Sequence, residues 1–445
     1  MEVETPSSAD GSSTATYAAL AGGIALLFLA LALAVPAAAN ALTVIGTALL
    51  AGIAARALWS SLLAVRSPTP PDPPTEWPSV SVVVTAYNEA DALRDCVAAC
   101  RALEYPGEVE TVLCYESAST DGTARVAEGA ARRHDRVTAV RRNAPPGGKA
   151  AAVNHALDHA SGEVVASIDA NQRPDPAMLR RGVRWFRDAD VRCVKGRCYG
   201  TNATDSLVAL HATVERHLLE RAEFYARDVF GGFTLFTGGQ VLFRAGLVDD
   251  LGPFDESVLI EDVDMACRVH QAGDDVRVDP GVVTYENNPA TLDAWLSQRK
   301  RWARGALQVA RRHTLAMLRS PRVSPVTKLD AAFTFGYVLV APLLILALPA
   351  LWIAAPPFRD APLAAALRLS PAAAGLVAAA VVFALDYVAD RSHAHREYAA
   401  PLTLWAYAAL QCTVVVTAFL DEFVLDAPVT YVTSSTEDAG ASSDD

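Results

Sequence analysis

The hydrophobic pattern of this 445-residue chain falls into three parts. Long apolar segments lie at about 17–35 and 41–65, and three more follow at about 331–354, 371–389 and 401–425. A membrane-spanning helix needs about 20 apolar residues, so each segment is a candidate span. The first also fits a signal peptide that ends at Ala37-Ala38-Ala39, but the residues before it are acidic, whereas signal peptides begin with basic ones. The pattern predicts a helical hairpin near the N-terminus and three helices near the C-terminus.

Between the two groups of apolar segments, short β-branched runs alternate with helical stretches. A proline-rich linker over 67–77 precedes them, and the predicted strands cover 79–85, 110–115, 137–141 and 163–169. This alternation predicts an α/β domain over 78–320, with a mostly parallel sheet and helices on both faces. The domain ends in an amphipathic basic helix over 292–318, which is predicted to lie at the membrane surface.

Composition narrows the class of protein. Hydrophobic residues make up 52% of the chain and mean hydropathy is +0.21, which is too apolar for a soluble protein of this length. The net charge of −12 excludes nucleic acid as an expected partner, because an acidic surface repels phosphate. Residues 1–16 and 427–445 are polar and acidic without periodicity, so both are predicted to be disordered tails. The seven cysteines show no paired zinc spacing and are predicted to be reduced, buried thiols.

Basic residues predict the orientation in the membrane. Arg66 precedes the α/β domain, Arg319 and Lys328 follow it, and Arg391 and Arg396 lie between the fourth and fifth apolar segments. Cytoplasmic loops favour Arg and Lys, so we expect all three regions, and the α/β domain with them, on the cytoplasmic side. A multi-pass protein of the cell membrane with five spans and a cytoplasmic N-terminus then has its C-terminal tail outside.

Polar side chains follow the ends of the predicted strands. Asn88 comes just after the first strand, Glu116 after the second and Asp169 at the end of the fourth. Ligands bind at the carboxyl ends of parallel strands, so a ligand is expected beside these three residues. Two glycines lead into a helix at Lys149, and a helix N-terminus is a natural phosphate site.

Two further clusters follow later in the chain. Glu261 and Asp262 begin a predicted helix, where a carboxylate suits a general base, although an acidic helix N-terminus is also a structural choice. The run from Gln298 to Trp302 contains two arginines and a tryptophan just before an apolar segment. Guanidinium groups bind phosphate oxygens and an indole can stack on a sugar. Taken alone, the run equally fits the basic flank of a membrane segment.

In their order, these motifs resemble those of family-2 glycosyltransferases, including the synthases of cellulose and hyaluronan, over about residues 78–320. The resemblance implies a GT-A nucleotide-sugar-binding domain flanked by transmembrane helices. It implies a donor site made by Thr85, Ala86, Tyr87, Glu89, Glu116, Lys149 and Asp169. It implies an acceptor and diphosphate site made by Gly238, Gly239, Gln240, Glu261, Gln298, Arg299, Arg301 and Trp302.

The resemblance also implies a reaction. Asp262 would act as the general base of an inverting transfer, with Mg²⁺ or Mn²⁺ held by Asp169 and Asn171. Two positions depart from the family pattern. Asn171 replaces a second aspartate and weakens the metal site, and Glu116-Ser117 replaces two aspartates and weakens the preference for a UDP-sugar.

The partners implied by the resemblance are a nucleotide sugar, a glycan or polyprenyl-linked acceptor, and the lipid bilayer. Both processive polysaccharide synthesis and a single transfer stay open. Because of the departures at Glu116 and Asn171, the alternative is a catalytically degenerate protein that binds nucleotide sugar or serves as a membrane scaffold.

Overall fold

The computed structural model describes residues 10–144, 147–354 and 362–428. The predicted C-terminal tail lies almost entirely outside the described residues, as does the start of the N-terminal tail. The first helix, α1, begins at Asp10, inside the segment predicted to be a tail. The second, α2, begins at Pro36, so the predicted hairpin turns at Val35.

The α/β domain is built on one eight-stranded sheet, in the order β3-β2-β1-β4-β7-β6-β8-β5. The strands are β1 Val80–Ala86, β2 Val109–Glu116, β3 Val137–Arg142, β4 Val164–Asp169, β5 Gln172–Pro174, β6 Val191–Gly200, β7 Val241–Arg244 and β8 Asp275–Glu286. The first four are parallel to one another, as predicted. The other half is mixed, because β7 is antiparallel to β4 and β6, and β5 is antiparallel to β8. Only part of the sheet therefore matches the mostly parallel prediction.

Helices cover both faces of the sheet, as predicted. They are α3 Ala90–Arg101, α4 Thr123–Arg133, α5 Gly148–Leu157, α6 Met178–Gly182, α7 Leu207–Leu218, α8 Tyr225–Phe230, α9 Leu247–Leu251, α10 Glu261–Ala272 and α11 Leu292–Arg319. Along β1, Val82 and Val84 pack with α3 on one face, while Val83 packs with α5 on the other. All three valines are fully buried, which is why a parallel strand is apolar at every position.

The helix predicted over 206–227 is divided by a π-helical turn. The α-helical hydrogen bonding of α7 ends at Leu218. The chain continues as a π-helix over Leu219–Phe224, and α-helical hydrogen bonding resumes in α8. Such turns frequently lie at functional sites, because they redirect side chains from a regular helix. Here the turn directs Glu220 into the protein interior, where it is 7% exposed.

Three more long helices follow the α/β domain: α12 Pro325–Ala354, α13 Pro362–Val388 and α15 Leu404–Phe423, with the short α14 His395–Ala399 between the last two. With α1 and α2 they supply five helical segments long and apolar enough to cross a membrane. In the bundle, α1 packs on α12 and α2 packs on α13. α12 contains Pro342 and Pro349, which a membrane helix tolerates.

The last long helix, α15, lies along α11 for most of its length. Near their starts, Trp295 of α11 donates to the hydroxyl of Tyr407, at 2.8 Å. Further on, Lys300 pairs with Asp421 at 2.7 Å, and Arg304 donates to the carbonyl of Ala427 at 2.7 Å. The two helices therefore run side by side in the same direction, and the end of α15 lies beside the α/β domain.

A chain of charged groups joins the sheet to the membrane helices, and we call these five residues the charge chain. Arg197 of β6 binds both oxygens of Asp386 of α13, at 2.6 and 2.7 Å. His393 lies between Asp386 and Glu397, at 3.0 and 3.1 Å, and His217 of α7 contacts Glu397 at 3.0 Å. Burial lowers the pKa of His217 to about 4. Burial also opposes charge on His393, but its two carboxylate partners raise its pKa to about 9.

Candidate active site

The loop after β1 is held in place by the loop after β2. Asn88 has a positive φ of 53°, and its side-chain oxygen accepts from the backbone N–H of Thr120 at 2.7 Å. Asp121 accepts from the first backbone N–H of α3, that of Ala90, at 3.0 Å, and from that of Thr123 at 2.9 Å. One carboxylate therefore caps two helices. Thr85, Ala86 and Tyr87 are positioned by this arrangement.

Glu89 follows this loop and lies near Asp169. Burial is the main cause that raises the pKa of its carboxyl to about 8, and the neighbouring charge of Asp169 adds to the rise. Its carboxyl is therefore mostly protonated at neutral pH, so it can donate a hydrogen bond as well as accept one.

Glu116, at the end of β2, is 4% exposed and is paired with Arg142 at the end of β3. One nitrogen of the guanidinium lies 3.1 Å from each carboxylate oxygen. Burial raises the pKa of Glu116, while Arg142 opposes the rise. A nucleotide base that contacts Glu116 must therefore share the carboxylate with Arg142.

Asp169 lies at the centre of the site, at the end of β4 and in register with Thr85 of β1. One of its oxygens pairs with Lys149, and the other accepts from the backbone N–H of Gly239 at 3.0 Å. Burial alone would raise the pKa of Asp169, but Lys149 and the Gly239 N–H lower it overall, with a smaller contribution from Arg301. The carboxylate therefore stays ionised at neutral pH.

The glycine pair before β7 connects Asp169 with the first turn of α10. Gly238 has φ +65°, and its N–H donates to Asp262, while the N–H of Gly239 donates to Asp169. A Cβ on Gly239 would come within 2.7 Å of the Asp169 nitrogen and would also meet Gln172. Two neighbouring glycines thus hold two carboxylates, and only glycine fits this approach.

Glu261 and Asp262 form the first turn of α10, where the helix dipole favours negative charge. The second oxygen of Asp262 accepts from the backbone N–H of Val263 at 2.8 Å. Glu261 is 6% exposed, and burial together with the charge of Asp262 raises its pKa to about 7. Glu261 therefore takes up a proton near neutral pH.

The two predicted arginines of α11 have different partners. Arg301 donates weakly to the carbonyl of Leu259, at 3.4 Å, and its charge acts on Asp169 and Glu261. Arg299 instead pairs with Glu215 of α7 at 2.8 Å and lies 4.5 Å from the ring centre of Trp302. Arg301 therefore belongs to the charged centre, whereas Arg299 holds α11 against α7.

Gln240 lies away from the centre, inside the protein. It is 2% exposed, has φ +55°, and accepts from the side chain of Gln172 at 2.8 Å. Its own amide donates to Glu220 at 3.2 Å, on the π-helical turn. The predicted acceptor residue Gln240 thus supports the Gly238-Gly239 pair from behind.

The structure brings together Asp169, Lys149, Glu261, Asp262 and Arg301, all of which the sequence predicted. Their charges interact. Burial alone would lower the pKa of the Lys149 ammonium, but the negative charges of Asp169, Glu261 and Asp262 raise it. The sequence did not indicate the residues that hold the other predicted site residues: Arg142 pairs with Glu116, Gln172 and Glu220 hold Gln240, and Glu215 pairs with Arg299. Of these residues, only Arg142 could have been found from the sequence, because it is a basic residue at the end of the predicted strand next to the strand that ends in Glu116.

Comparison with known proteins identifies the family of the α/β domain. The sequence model of the family described as "Glycosyltransferase like family 2" matches residues 78–305. The probable glycosyltransferase YdaM of Bacillus subtilis is 27% identical over 233 residues, which are 52% of this chain and 56% of YdaM. A beta-monoglucosyldiacylglycerol synthase of Nostoc sp. is 28% identical over 232 residues, 52% of this chain and 49% of that protein. The chain thus matches about half the length of these curated relatives.

A solved structure extends the likeness into the membrane helices. The mannosyltransferase PcManGT from Pyrobaculum calidifontis, in complex with GDP-Man and Mn²⁺, is 25% identical, with a TM-score of 0.61. The match covers 88% of this chain and 100% of the mannosyltransferase chain. The predicted α/β GT-A fold with accompanying apolar helices is confirmed by this likeness and by the family match. The chain is a member of glycosyltransferase family 2.

Proposed function

We propose that the protein is a membrane-bound, inverting glycosyltransferase, which moves a sugar from a nucleotide-sugar donor to a glycan or lipid-linked acceptor. The observation that carries the proposal is the meeting of Asp262, Asp169 and Lys149 at the Gly238-Gly239 pair. A carboxylate base and a cationic diphosphate site at one point are what such a transfer requires. A UDP-sugar is the favoured donor from the sequence, and GDP-Man is the donor in the Pyrobaculum structure.

Asp262 is the proposed general base. It takes the proton of the acceptor hydroxyl while that oxygen attacks the anomeric carbon from the face opposite the diphosphate. The bond from this carbon to the phosphate oxygen breaks, and the diphosphate leaves with the electron pair, so the configuration inverts. The backbone N–H groups of Gly238 and Val263 hold the carboxylate in place without neutralising it.

The departing diphosphate gains negative charge as the bond breaks. Lys149 and Arg301 can offset that charge, because both already act on the carboxylates of this centre. Preorganised charges of this kind are usually the largest contribution to catalysis, since they need no rearrangement at the moment of reaction.

The acceptor would approach along α11. Trp302 lies there, with the guanidinium of Arg299 at 4.5 Å from the centre of its ring. The side-chain oxygen of Gln298 is buried and has no hydrogen-bond partner among the described residues. A buried oxygen without a partner is costly, and an acceptor hydroxyl would satisfy it. This placement supports a sugar-containing acceptor, either a growing glycan or a lipid-linked sugar.

A divalent cation is expected from the family resemblance and accompanies the donor in the Pyrobaculum structure. The residues of this chain do not fit such an ion well. Both oxygens of Asp169 already have partners, and Asn171 can offer only a neutral carbonyl. No step described above passes through a metal.

The five apolar helical segments place the protein in a membrane. We propose that the α/β domain lies on the cytoplasmic side, where nucleotide sugars are available and where Arg66 and Arg391 are favoured. The packing of α15 along α11 keeps the end of α15 beside this domain. We therefore propose that the C-terminal tail is cytoplasmic too, which differs from the five-span prediction.

The test is sugar transfer by the detergent-purified protein from a panel of UDP- and GDP-sugars to lipid extracts and to oligosaccharides. Asp262→Asn should reduce turnover by about a thousandfold or more, because the amide cannot take a proton. The matched control is Asp249→Asn, an exposed aspartate of α9, which should transfer at the wild-type rate.

Two results would contradict the proposal. One is donor binding without turnover under any condition, which would favour the non-catalytic alternative. The other is equal loss of activity in the Asp262 and Asp249 variants, which would assign the effect to general instability rather than to proton transfer.

A further inference from the structure

We infer that two side-chain cations, Lys149 and Arg301, bind the donor diphosphate in place of a divalent cation. The inference rests on the proposed donor site and concerns only how that site offsets the negative charge of the donor. Three independent features support it: the oxygens available to a metal, the position of the cations, and the start of α5.

The oxygens available to a metal are few. Mg²⁺ and Mn²⁺ prefer anionic oxygens from carboxylates. Asp169 has one oxygen on Lys149 and the other on the backbone N–H of Gly239, at 3.0 Å. Asn171 stands where a second carboxylate would supply the missing charge. Asp262 has both oxygens on backbone N–H groups of Gly238 and Val263.

The cations lie where a metal would act. The ammonium of Lys149 is bound to Asp169 and acts on Glu261 and Asp262, so it lies between the donor side and the α10 side of the site. An ammonium has three N–H donors. One can remain on Asp169 while the others turn to phosphate oxygens. Arg301 of α11 donates to the carbonyl of Leu259 at 3.4 Å, close to the first turn of α10, and its charge acts on Asp169 and Glu261. Its guanidinium offers a planar pair of donors.

The start of α5 adds a further positive contribution. α5 has ten residues, and Gly148 at its first position has φ +77°. The first N–H groups of an α-helix have no partner within the helix, and Lys149 is the second residue of α5. The helix dipole and the ammonium would therefore act on the same phosphate group.

The experiment is calorimetric binding of UDP and of GDP to the full-length protein in detergent, with EDTA, Mg²⁺ or Mn²⁺. We expect the wild-type Kd of the better nucleotide to change by less than about threefold between EDTA and either metal. Lys149→Gln should weaken binding in EDTA by about 10- to 100-fold, since it removes a charge-assisted contact. Lys149→Arg should bind within about fivefold of the wild type.

Two further variants complete the design. Lys328→Gln, one of only four lysines in the chain and located on α12, is the matched control and should bind like the wild type. Asn171→Asp restores the second carboxylate, so Mn²⁺ should tighten its binding by about tenfold over EDTA.

The inference is overturned if wild-type binding disappears in EDTA and returns with Mn²⁺, while sugar transfer itself proceeds. That result would leave the proposed function standing. If neither nucleotide binds under any condition, both proposals fail. Should Lys149→Gln fail to fold, the wild-type comparison between EDTA and metal still decides the matter.

Discussion

The carboxyl of Glu89 should make the stability of the protein depend on pH. Burial and the charge of Asp169 raise its pKa from 4.5 to about 8 in the folded protein. In the unfolded chain the carboxyl ionises near 4.5, so above that pH the folded state holds a proton that the unfolded state has lost. Stability must therefore fall as pH rises, until the folded carboxyl also ionises near pH 8.

The size of the effect follows from these two values. Between these two pKa values, each pH unit lowers the free energy of unfolding by about 1.4 kcal/mol. The free energy of unfolding therefore falls by about 3 kcal/mol between pH 6 and pH 9, since the fall ends near pH 8. Glu89→Gln imitates the protonated form and removes this contribution. We expect the variant to gain on the wild type as pH rises, by several degrees in Tm at the alkaline end.

The assay is thermal unfolding in detergent across that pH range, monitored by tryptophan fluorescence. Glu261, whose pKa is about 7, adds a pH dependence that both proteins share, so the difference between them isolates Glu89. Glu108→Gln, at an exposed position, is the control and should follow the wild type. The reasoning is refuted if the Tm difference between Glu89→Gln and the wild type is the same at every pH.

Three further predictions concern the site and the membrane helices. Gly239→Ala should abolish transfer, because its Cβ would meet Gln172 and the Asp169 backbone, whereas Gly246→Ala, with open space around it, should transfer normally. Arg299→Met should lower Tm through loss of its ion pair with Glu215 but leave nucleotide binding unchanged, whereas Arg301→Met should weaken nucleotide binding but leave Tm unchanged. Nucleotide titration and thermal melting of both variants test this, and the opposite assignment of the two effects would contradict it. A tag at the C-terminus should be cut by protease in inverted vesicles and protected in right-side-out ones, and the opposite pattern would mean that α15 crosses the bilayer.

The parallel half of the sheet could be predicted because each strand there is an apolar run followed by a helix. The predicted strand over 79–85 is observed at Val80–Ala86, and that over 163–169 at Val164–Asp169. The strands β5 and β7 could not be predicted, since three or four residues show no measurable period. The π-helical turn was equally hidden, because its sequence continues a helical pattern.

The candidate site shows the same division. The centre was predictable because Asp169 ends a strand and Lys149 and Asp262 lie in the first turns of helices, in a recognisable order. Arg299 and Arg301 could not be distinguished from sequence, as they differ only in which face of α11 they occupy. Their separation depends on Glu215, which lies in a distant helix that local pattern does not relate to α11.

The charge chain limits how far the α/β domain can move relative to the membrane helices. Its two ends, Arg197 of β6 and His217 of α7, lie in the α/β domain, and its middle lies at the end of α13 and just after it, with each link within 3.1 Å of the next. Swinging the domain away from the bilayer would strip paired charges of their counterions in a nonpolar setting, which is strongly unfavourable. We propose that the α/β domain therefore does not hinge away from the membrane helices, so that a lipid-borne acceptor would have to reach the site by lateral diffusion, and turnover would then respond to how freely lipids move.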